Sequence, residues 1–478
     1  MSRLSERCHE FLVESGSSVY QLSKISGLDR TSLHRLVTGQ RIPTLDFLMR
    51  FCSVLSLNAA DIQELMELFE EARSGPTAFR NRQRIFQILE NVADFAENPF
   101  PFSESAVSAS PYALPASTQT MIQTKMLIFQ ALENAFSSQG ASEEILTNLP
   151  LGRMEFLPVI YQFHKKYGKK VRLCHLFYFT ANPSLTDSSN PNLEIIRWIL
   201  PMALADFDSY EPYYTYTKSS SNDMKMLLWP YYLITSRIVI VISAHLDCAV
   251  VHLDADTNRI YRQEMLDLLA QSRPLRIHTR SFESSLDFYL QVTQGNGPLL
   301  STLEYQPCVS PLISKELYIS QLQKENLSQT DLPLFGKLMN LNPFIQGESS
   351  HYFTMQGLRS FCETGRILGQ FGTYLDPLST ETRRQVLSRY INDLRRHSHS
   401  RIIRSSIRLP ATLNIELYRN NFILFILFEK HQRIRFVSIS EASLYEVFLD
   451  FFQALDGPAY SYSAEETLAA LKSALQSL

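Results

Sequence analysis

Between Lys24 and Arg50 five basic side chains, Lys24, Arg30, Arg35, Arg41 and Arg50, stand against two acidic ones, Asp29 and Asp46. The hydroxyls of Thr31 and Ser32 and the imidazole of His34 lie among them. Leu33 and Leu36 share one side of a helix, which turns Arg30, Thr31, Ser32, His34 and Arg35 outward. Guanidinium groups in such a row can give paired hydrogen bonds to phosphate oxygens or to the acceptor edges of bases.

Other spacings carry less chemistry. Asp254-Ala-Asp256-Thr-Asn258 begins like a calcium loop, yet Arg259 replaces the sixth-position glycine and Met265 the twelfth-position acid. A capped turn between strand and helix fits it better. His397-Ser-His399, amid Arg395, Arg396, Arg401 and Arg404, has no neighbouring acid or cysteine to complete a metal set. An anion-binding or solvated surface fits it better. Cys174-His175 reads as a buried pair on an apolar strand. No glycine-rich phosphate loop, GxSxG elbow or HExxH motif is present. No catalytic residue, cofactor site or metal site is therefore assigned. Tyr210, Tyr213, Tyr214, Tyr216, Trp229, Tyr231 and Tyr232 crowd together around a Lys218–Asn222 loop. They fit an aromatic sheet edge packed on a core, or a pocket for a small-molecule or peptide effector.

The basic row must be positioned by its local elements. Leu22, Lys24 and Ile25 lie on a first short helix, and Gly27 supplies a turn that few residues make cheaply. Asp29 is placed to cap the second helix by accepting from the N–H of Thr31 or Ser32. Gly39 closes that helix, and Pro43-Thr44 opens a third with Leu45, Leu48, Met49, Cys52 and Leu55 at helical spacing. Helices from residue 1 to 15 and from Asn58 to Arg73 complete an all-α unit. The acidic face of Asp61–Glu71 is expected to turn away from phosphates.

This helix-turn-helix resembles the Cro/phage-repressor (XRE-type) family over the first 70 residues or so. The marks are Leu22-Ser23 (Leu-Ala in the family), Gly27-Leu28, Gly39, Pro43, and Leu55 before Ser56-Leu57. Val19 stands where the family often has Gln, which removes one phosphate or base contact, and Val37 where it often has Glu, which alters packing. The resemblance implies a λ-repressor-like fold on double-stranded DNA. Arg30, Thr31, Ser32, Arg35 and His34 would then face base edges, with Lys24 and Arg41 on the phosphate backbone. It also implies a homodimer on two half-sites.

The 478 residues are 45% hydrophobic with a formal charge of −3, so DNA affinity must come from local charge. Arg80, Arg82 and Arg84 form a second basic group, which reads as a solvated helix face more readily than as a DNA contact. Six scattered cysteines without a CxxC pair suit a reducing compartment. The start, MSRLSERCHEF, lacks the apolar stretch of a secretory leader. No apolar run is long enough to span a bilayer, so a cytoplasmic protein with no membrane partner is expected.

The expected fold class is multidomain α+β. Residues 1–75 form the helix-turn-helix domain, residues 76–120 a helix and a Pro/Ser-rich linker, and residues 121–478 a mixed α+β sensory or oligomerisation region. Helices are read at Ala78–Ala96, Met121–Ser137, Phe156–Tyr167, Leu193–Phe207, Asn258–Gln271, His351–Gly369, Thr380–Arg396 and Glu441–Leu455. Strands are read at Lys169–Thr180, within Met226–Leu253, and at Leu413–Tyr418, Asn421–Phe428 and Arg433–Ile439. Laid over itself without a gap at an offset of 183 residues, Val239–Ile242 meets Phe422–Phe425. An internal duplication and a chance likeness of two hairpin-plus-helix units both fit. The expected function is a DNA-binding transcriptional regulator that does not catalyse. The alternative is an enzyme, scaffold or antitoxin-like protein localised by its DNA-binding domain.

Overall fold

Five side chains start the N-terminal helices. Ser2, Ser18, Asp29, Thr44 and Asn58 each accept a first-turn backbone N–H, heading α1 (Arg3–Glu14), α2 (Val19–Ser26), α3 (Arg30–Val37), α4 (Leu45–Val54) and α5 (Ala59–Ser74). The computed structural model describes residues 2–97, 114–137, 143–150, 156–167, 171–181, 183, 190–205, 209–217, 228–277, 279, 281–321, 349–369, 375–397, 400–405, 407–428 and 434–478. The Pro/Ser-rich residues 98–113, the Lys218–Asn222 loop and His399 lie outside them, as does the side chain of His397.

Leu4, Cys8, Phe11, Leu22, Leu33, Leu36, Leu48, Phe51, Leu65 and Phe69 fill the small core of the five helices. In α4 it is Phe51 that turns inward with Leu48 and Cys52, while Met49 is 41% exposed. Val37 is buried, as a packing role requires.

After Gly75, which takes φ +84, α6 (Pro76–Glu97) runs into the large region. Its Ile85, Ile88, Leu89 and Val92 are buried. Of the basic group here Arg80 is exposed, whereas Arg82 and Arg84 are drawn into ion pairs instead of forming a solvated face. Arg82 is 7% exposed and holds Asp450 with two hydrogen bonds of 2.8 and 2.9 Å, and Arg84 reaches Glu194 at 2.7 Å. Both partners lie far along the chain, which a local reading of charge does not reveal.

Two sheets follow. The first contains β1 (Ser117–Thr118), β2 (Glu144–Thr147), β3 (Arg172–Thr180), β4 (Tyr210–Thr217), β5 (Tyr231–Ile234), β6 (Val239–Ile242), β7 (Ala249–His252) and β8 (Arg273–Pro274). Its order is β1-β7-β6-β5-β2-β3-β4-β8, with β2, β3 and β4 parallel and the remaining pairs antiparallel. The second contains β9 (Arg276–Ile277), β10 (Leu299–Leu303), β11 (Ser350–Thr354), β12 (Ser400–Ile403), β13 (Leu413–Tyr418), β14 (Phe422–Phe428) and β15 (Ile434–Ile439). Read from β9, its order is β9-β15-β14-β13-β10-β11-β12, with β10, β11 and β12 parallel. Apart from β8 at the edge of the first sheet, the two orders are one topology met twice, as a duplicated unit requires. The large region begins at β1, ahead of Met121, because Ser117 and Thr118 already pair with β7.

Helices cover both sheets. The first unit has α7 (Met121–Ser137), α8 (Phe156–Tyr167), α9 (Pro191–Leu204) and α10 (Ala255–Gln271). The second has α11 (Phe282–Gly295), α12 (Lys315–Gln321), α13 (Met355–Thr364), α14 (Thr380–His397), α15 (Ala442–Leu455) and α16 (Ala464–Ser477). Asp254 caps α10 by accepting from the Thr257 N–H, so the calcium-like stretch is a helix start. The stretch read as a helix over His351–Gly369 is instead β11 followed by α13. His351 and Tyr352 sit in register between β10 and β12, with Phe353 continuing along β12, and that long-range pairing overrides the local helical spacing.

The two units share one apolar layer. α9 packs on β3 and β4 of the first sheet and on β15 of the second, and α6 lies against both α9 and α15. Where the N-termini of α9 and α15 meet, buried asparagine and serine groups pair with one another. Asn190 caps α9, its N–H donates to Asn81 of α6 at 2.8 Å, and its side-chain amide donates to the Ser443 carbonyl at 3.2 Å. Asn192 joins Ser443 Oγ at 3.1 Å and exchanges two bonds with the Thr180 backbone.

In the second unit Glu304 follows β10 and is buried, its Oε1 without a hydrogen-bond partner among the described residues. Burial, aided by nearby Glu416, pushes its carboxyl up to about 8. The folded state therefore holds this proton where the unfolded chain releases it. Stability falls as pH rises from the unfolded carboxyl range, about 4.3, through the folded value. Glu304→Gln is expected to raise the melting temperature at pH 8 and leave it nearly unchanged at pH 4. A variant that melts lower than the parent at pH 8 contradicts this.

Candidate nucleic-acid interface

The reading helix is held from three sides. Gly27 ends α2 in the left-handed region at φ +67. Ser23 Oγ donates to the Leu28 carbonyl across the turn at 2.7 Å. Asp29 Oδ2 then accepts from the Ser32 N–H at 2.7 Å, so α3 starts at Arg30. That same N–H holds the Asp29 carboxyl below its ordinary range. Leu33, Leu36 and Val37 anchor the inner side of α3.

The outer side carries the expected residues. Arg30, Thr31, His34 and Arg35 are exposed, and Ser32 is half-buried. Arg30 rests over the ring of Tyr20, 5.4 Å from its centre, which steers the guanidinium along the helix. Arg35 has no hydrogen-bonded partner among the described residues and stays available to a ligand. Lys24 on α2 and Arg41 after Gly39 are exposed at the flanks of α3. On and around the outer face of α3, six of these seven residues are exposed and Ser32 is half-buried, with the helix N-terminus at one end. Tyr20 and Ile25, 57% and 80% exposed, extend that face with apolar surface that the charge count does not reveal.

α5 turns its acids elsewhere. Glu64 pairs with Arg7 at 3.0 Å and Glu71 with Arg3 at 3.1 Å, which ties α5 to α1.

The aromatic group in the first unit divides. Tyr210 and Tyr214 enter the core between the sheets, and His175 Nδ1 sits 3.1 Å from the Tyr210 hydroxyl while Nε2 bonds the Leu149 carbonyl side at 2.9 Å. Burial pulls the His175 imidazole down to about 4, so it stays neutral. Cys174 and His175 are buried structural residues of β3. Tyr216, Trp229 and Tyr232 instead line a cavity of about 990 Å³. Tyr178 at the carboxyl end of β3 and Tyr261 and Glu264 of α10 complete its wall. The cavity opens beyond the carboxyl ends of parallel strands, where open α/β sheets receive ligands. Those three residues were beyond local reading because they come from elements distant in sequence.

Among the described residues no group of three or more His, Cys, Asp or Glu could hold a metal ion, and no helix is long and apolar enough to cross a membrane.

No curated protein matches the chain. Among solved structures, TrmBL2, described as an archaeal chromatin protein with a novel mode of DNA binding, is 13% identical, with a TM-score of 0.23 over 57% of this chain and 94% of that one. Phosphatidylserine synthase of Haemophilus influenzae Rd KW20 is 11% identical, with a TM-score of 0.22 over 76% and 93%. Likenesses that slight carry no argument about this chain. The Cro/C1-type HTH DNA-binding domain family matches residues 9–67, and α2 and α3 fall inside that match. The N-terminal residues 9–67 are a Cro/C1-type helix-turn-helix DNA-binding domain.

Proposed function

We propose that the protein is a sequence-specific transcriptional regulator of double-stranded DNA whose large region senses an effector and does not catalyse. The observation that carries this reading is the outward row Arg30, Thr31, Ser32, His34 and Arg35 on a helix capped and anchored at its back. In this motif the second helix enters the major groove, while flanking groups hold phosphates. One such domain makes few contacts, so two copies on half-sites about one helical turn apart supply the affinity. A cytoplasmic homodimer fits this role. The buried joint between α6 and both repeated units supports a route by which a ligand in the large region biases the DNA-binding domain. A ligand shifts DNA affinity by its preference for one arrangement, typically about 5- to 150-fold.

The test compares a bound genomic site with random duplex at one salt concentration. The full-length protein is expected to prefer the site by at least about a thousandfold. Lys24→Ala is expected to weaken both by the same factor and to reduce the salt slope by about one. Equal affinity of the parent protein for both duplexes, or a monomer in sedimentation at saturating site concentration, overturns the reading.

A further inference from the structure

The cavity at the carboxyl ends of β2, β3 and β4 has a one-sided chemistry. Five aromatic rings line it, from Tyr178, Tyr216, Trp229, Tyr232 and Tyr261. Glu264 is the one charged side chain in the described lining, which holds no Lys, Arg or His. Tyr232 and Tyr261 meet at a ring-centre distance of 5.5 Å and an angle of 47°, and Tyr261 stacks one face on His252 at 6.3 Å. Aromatic ring faces carry the negative side of the quadrupole.

The wall is braced from behind. Asn148 accepts from the Tyr232 N–H at 2.7 Å and donates to the Pro230 carbonyl at 2.9 Å, so its amide fixes β5 and offers little to an anion. Around the mouth Leu228 is 82% exposed and Ile260 58%, apolar surface suited to the body of a ligand. An anion entering this space finds no counter-charge among the described lining residues. A cation finds ring faces and a carboxylate.

We infer that this cavity binds an organic cation, an amine or quaternary ammonium group carried on an apolar or aromatic body. The ring faces hold the charged head by cation–π attraction, Glu264 supplies the counter-charge, and the apolar rim takes the remainder. The inference rests on the reading of the large region as a sensor and names its ligand class. The site also neighbours the joint: Tyr178 is two residues from Thr180, whose backbone is held by Asn192.

The test titrates the full-length Trp198→Phe protein, which leaves Trp229 as its single tryptophan, with two isosteres. One is (4-hydroxyphenyl)trimethylammonium; the other is uncharged 4-tert-butylphenol. Trp229 fluorescence reports binding. The cation is expected to bind at least tenfold more tightly, and Glu264→Gln, at an exposed position, is expected to remove most of that preference. Equal or tighter binding of the uncharged isostere overturns the cation assignment, and silence of Trp229 to both probes overturns the site. DNA affinity is followed in the same samples. A bound cation that leaves it unchanged overturns the sensor reading and sustains the ligand class, so the two failures are distinguishable.

Discussion

Replacing Arg82 by methionine is expected to lower the stability of the full-length protein by about 3 kcal/mol, at the low end of what breaking a buried ion pair costs. The guanidinium bonds Asp450 twice and lies 3.6 Å from Glu70. Glu70 is 3% exposed, and burial raises its carboxyl above the ordinary range despite Arg73 and Arg82. Without Arg82 that acid keeps its burial and loses its nearest cation. The Asp450 side chain is 37% exposed and recovers water, which places the loss at the low end. Phe86, edge-on to Phe451 at 5.3 Å and beside Tyr460 at 5.4 Å, helps keep α6 docked together with the Asn81–Asn190 bond and the Arg84–Glu194 pair. Adding Glu70→Gln to Arg82→Met should restore part of the loss by removing the uncompensated acid. Denaturant unfolding followed by circular dichroism and fluorescence measures both. A single variant within about 0.5 kcal/mol of the parent, the range of ordinary surface changes, shows that the ion pair does not hold the DNA-binding domain to the large region.

Arg35→Ala is expected to cost about 1–3 kcal/mol at one base position and little at the others. Arg35 lies on the outer face of α3, and its guanidinium has no hydrogen-bonded partner among the described residues to leave when DNA arrives. The variant should fold as the parent does, because Leu33, Leu36 and Val37 on the opposite side carry the packing of α3. Affinities for a panel of single-base changes separate the outcomes. Loss of discrimination at one position identifies a base contact. A uniform loss across the panel moves Arg35 to the phosphate backbone and removes it from the reading set.

Short-range chemistry made much of this fold legible. The caps Asp29, Thr44, Asn58 and Asp254 announce helices because each acts on an N–H two or three residues away. The strand Phe422–Phe428 announces itself as an apolar run buried on both faces, whereas its neighbour Leu413–Tyr418 alternates apolar residues with Asn414 and Glu416, which are buried as well. What escaped local reading depended on distant partners. Arg82 looks like any surface arginine until Asp450 folds against it. The His351–Phe353 segment pairs as a strand only because β10 and β12 flank it. The gapless overlay brings β5, β6 and α10 over β13, β14 and α15, but β2 and β3 miss β10 and β11, since segments of different length separate those equivalent strands. In the interface, the face of α3 followed from helical spacing, and Tyr20 joined it through its contact with Arg30.

The central claim is that α3 selects particular DNA sequences for this protein. Its most direct test is sequencing the fragments that the full-length protein retains from sheared genomic DNA of its own organism, with Arg35→Ala run in parallel. The account predicts a small set of enriched fragments sharing a motif with two related half-sites about one helical turn apart, and a motif relaxed at one position in each half for the variant. Even coverage of the genome by the parent protein, or the same motif with the same preferences for both, contradicts it.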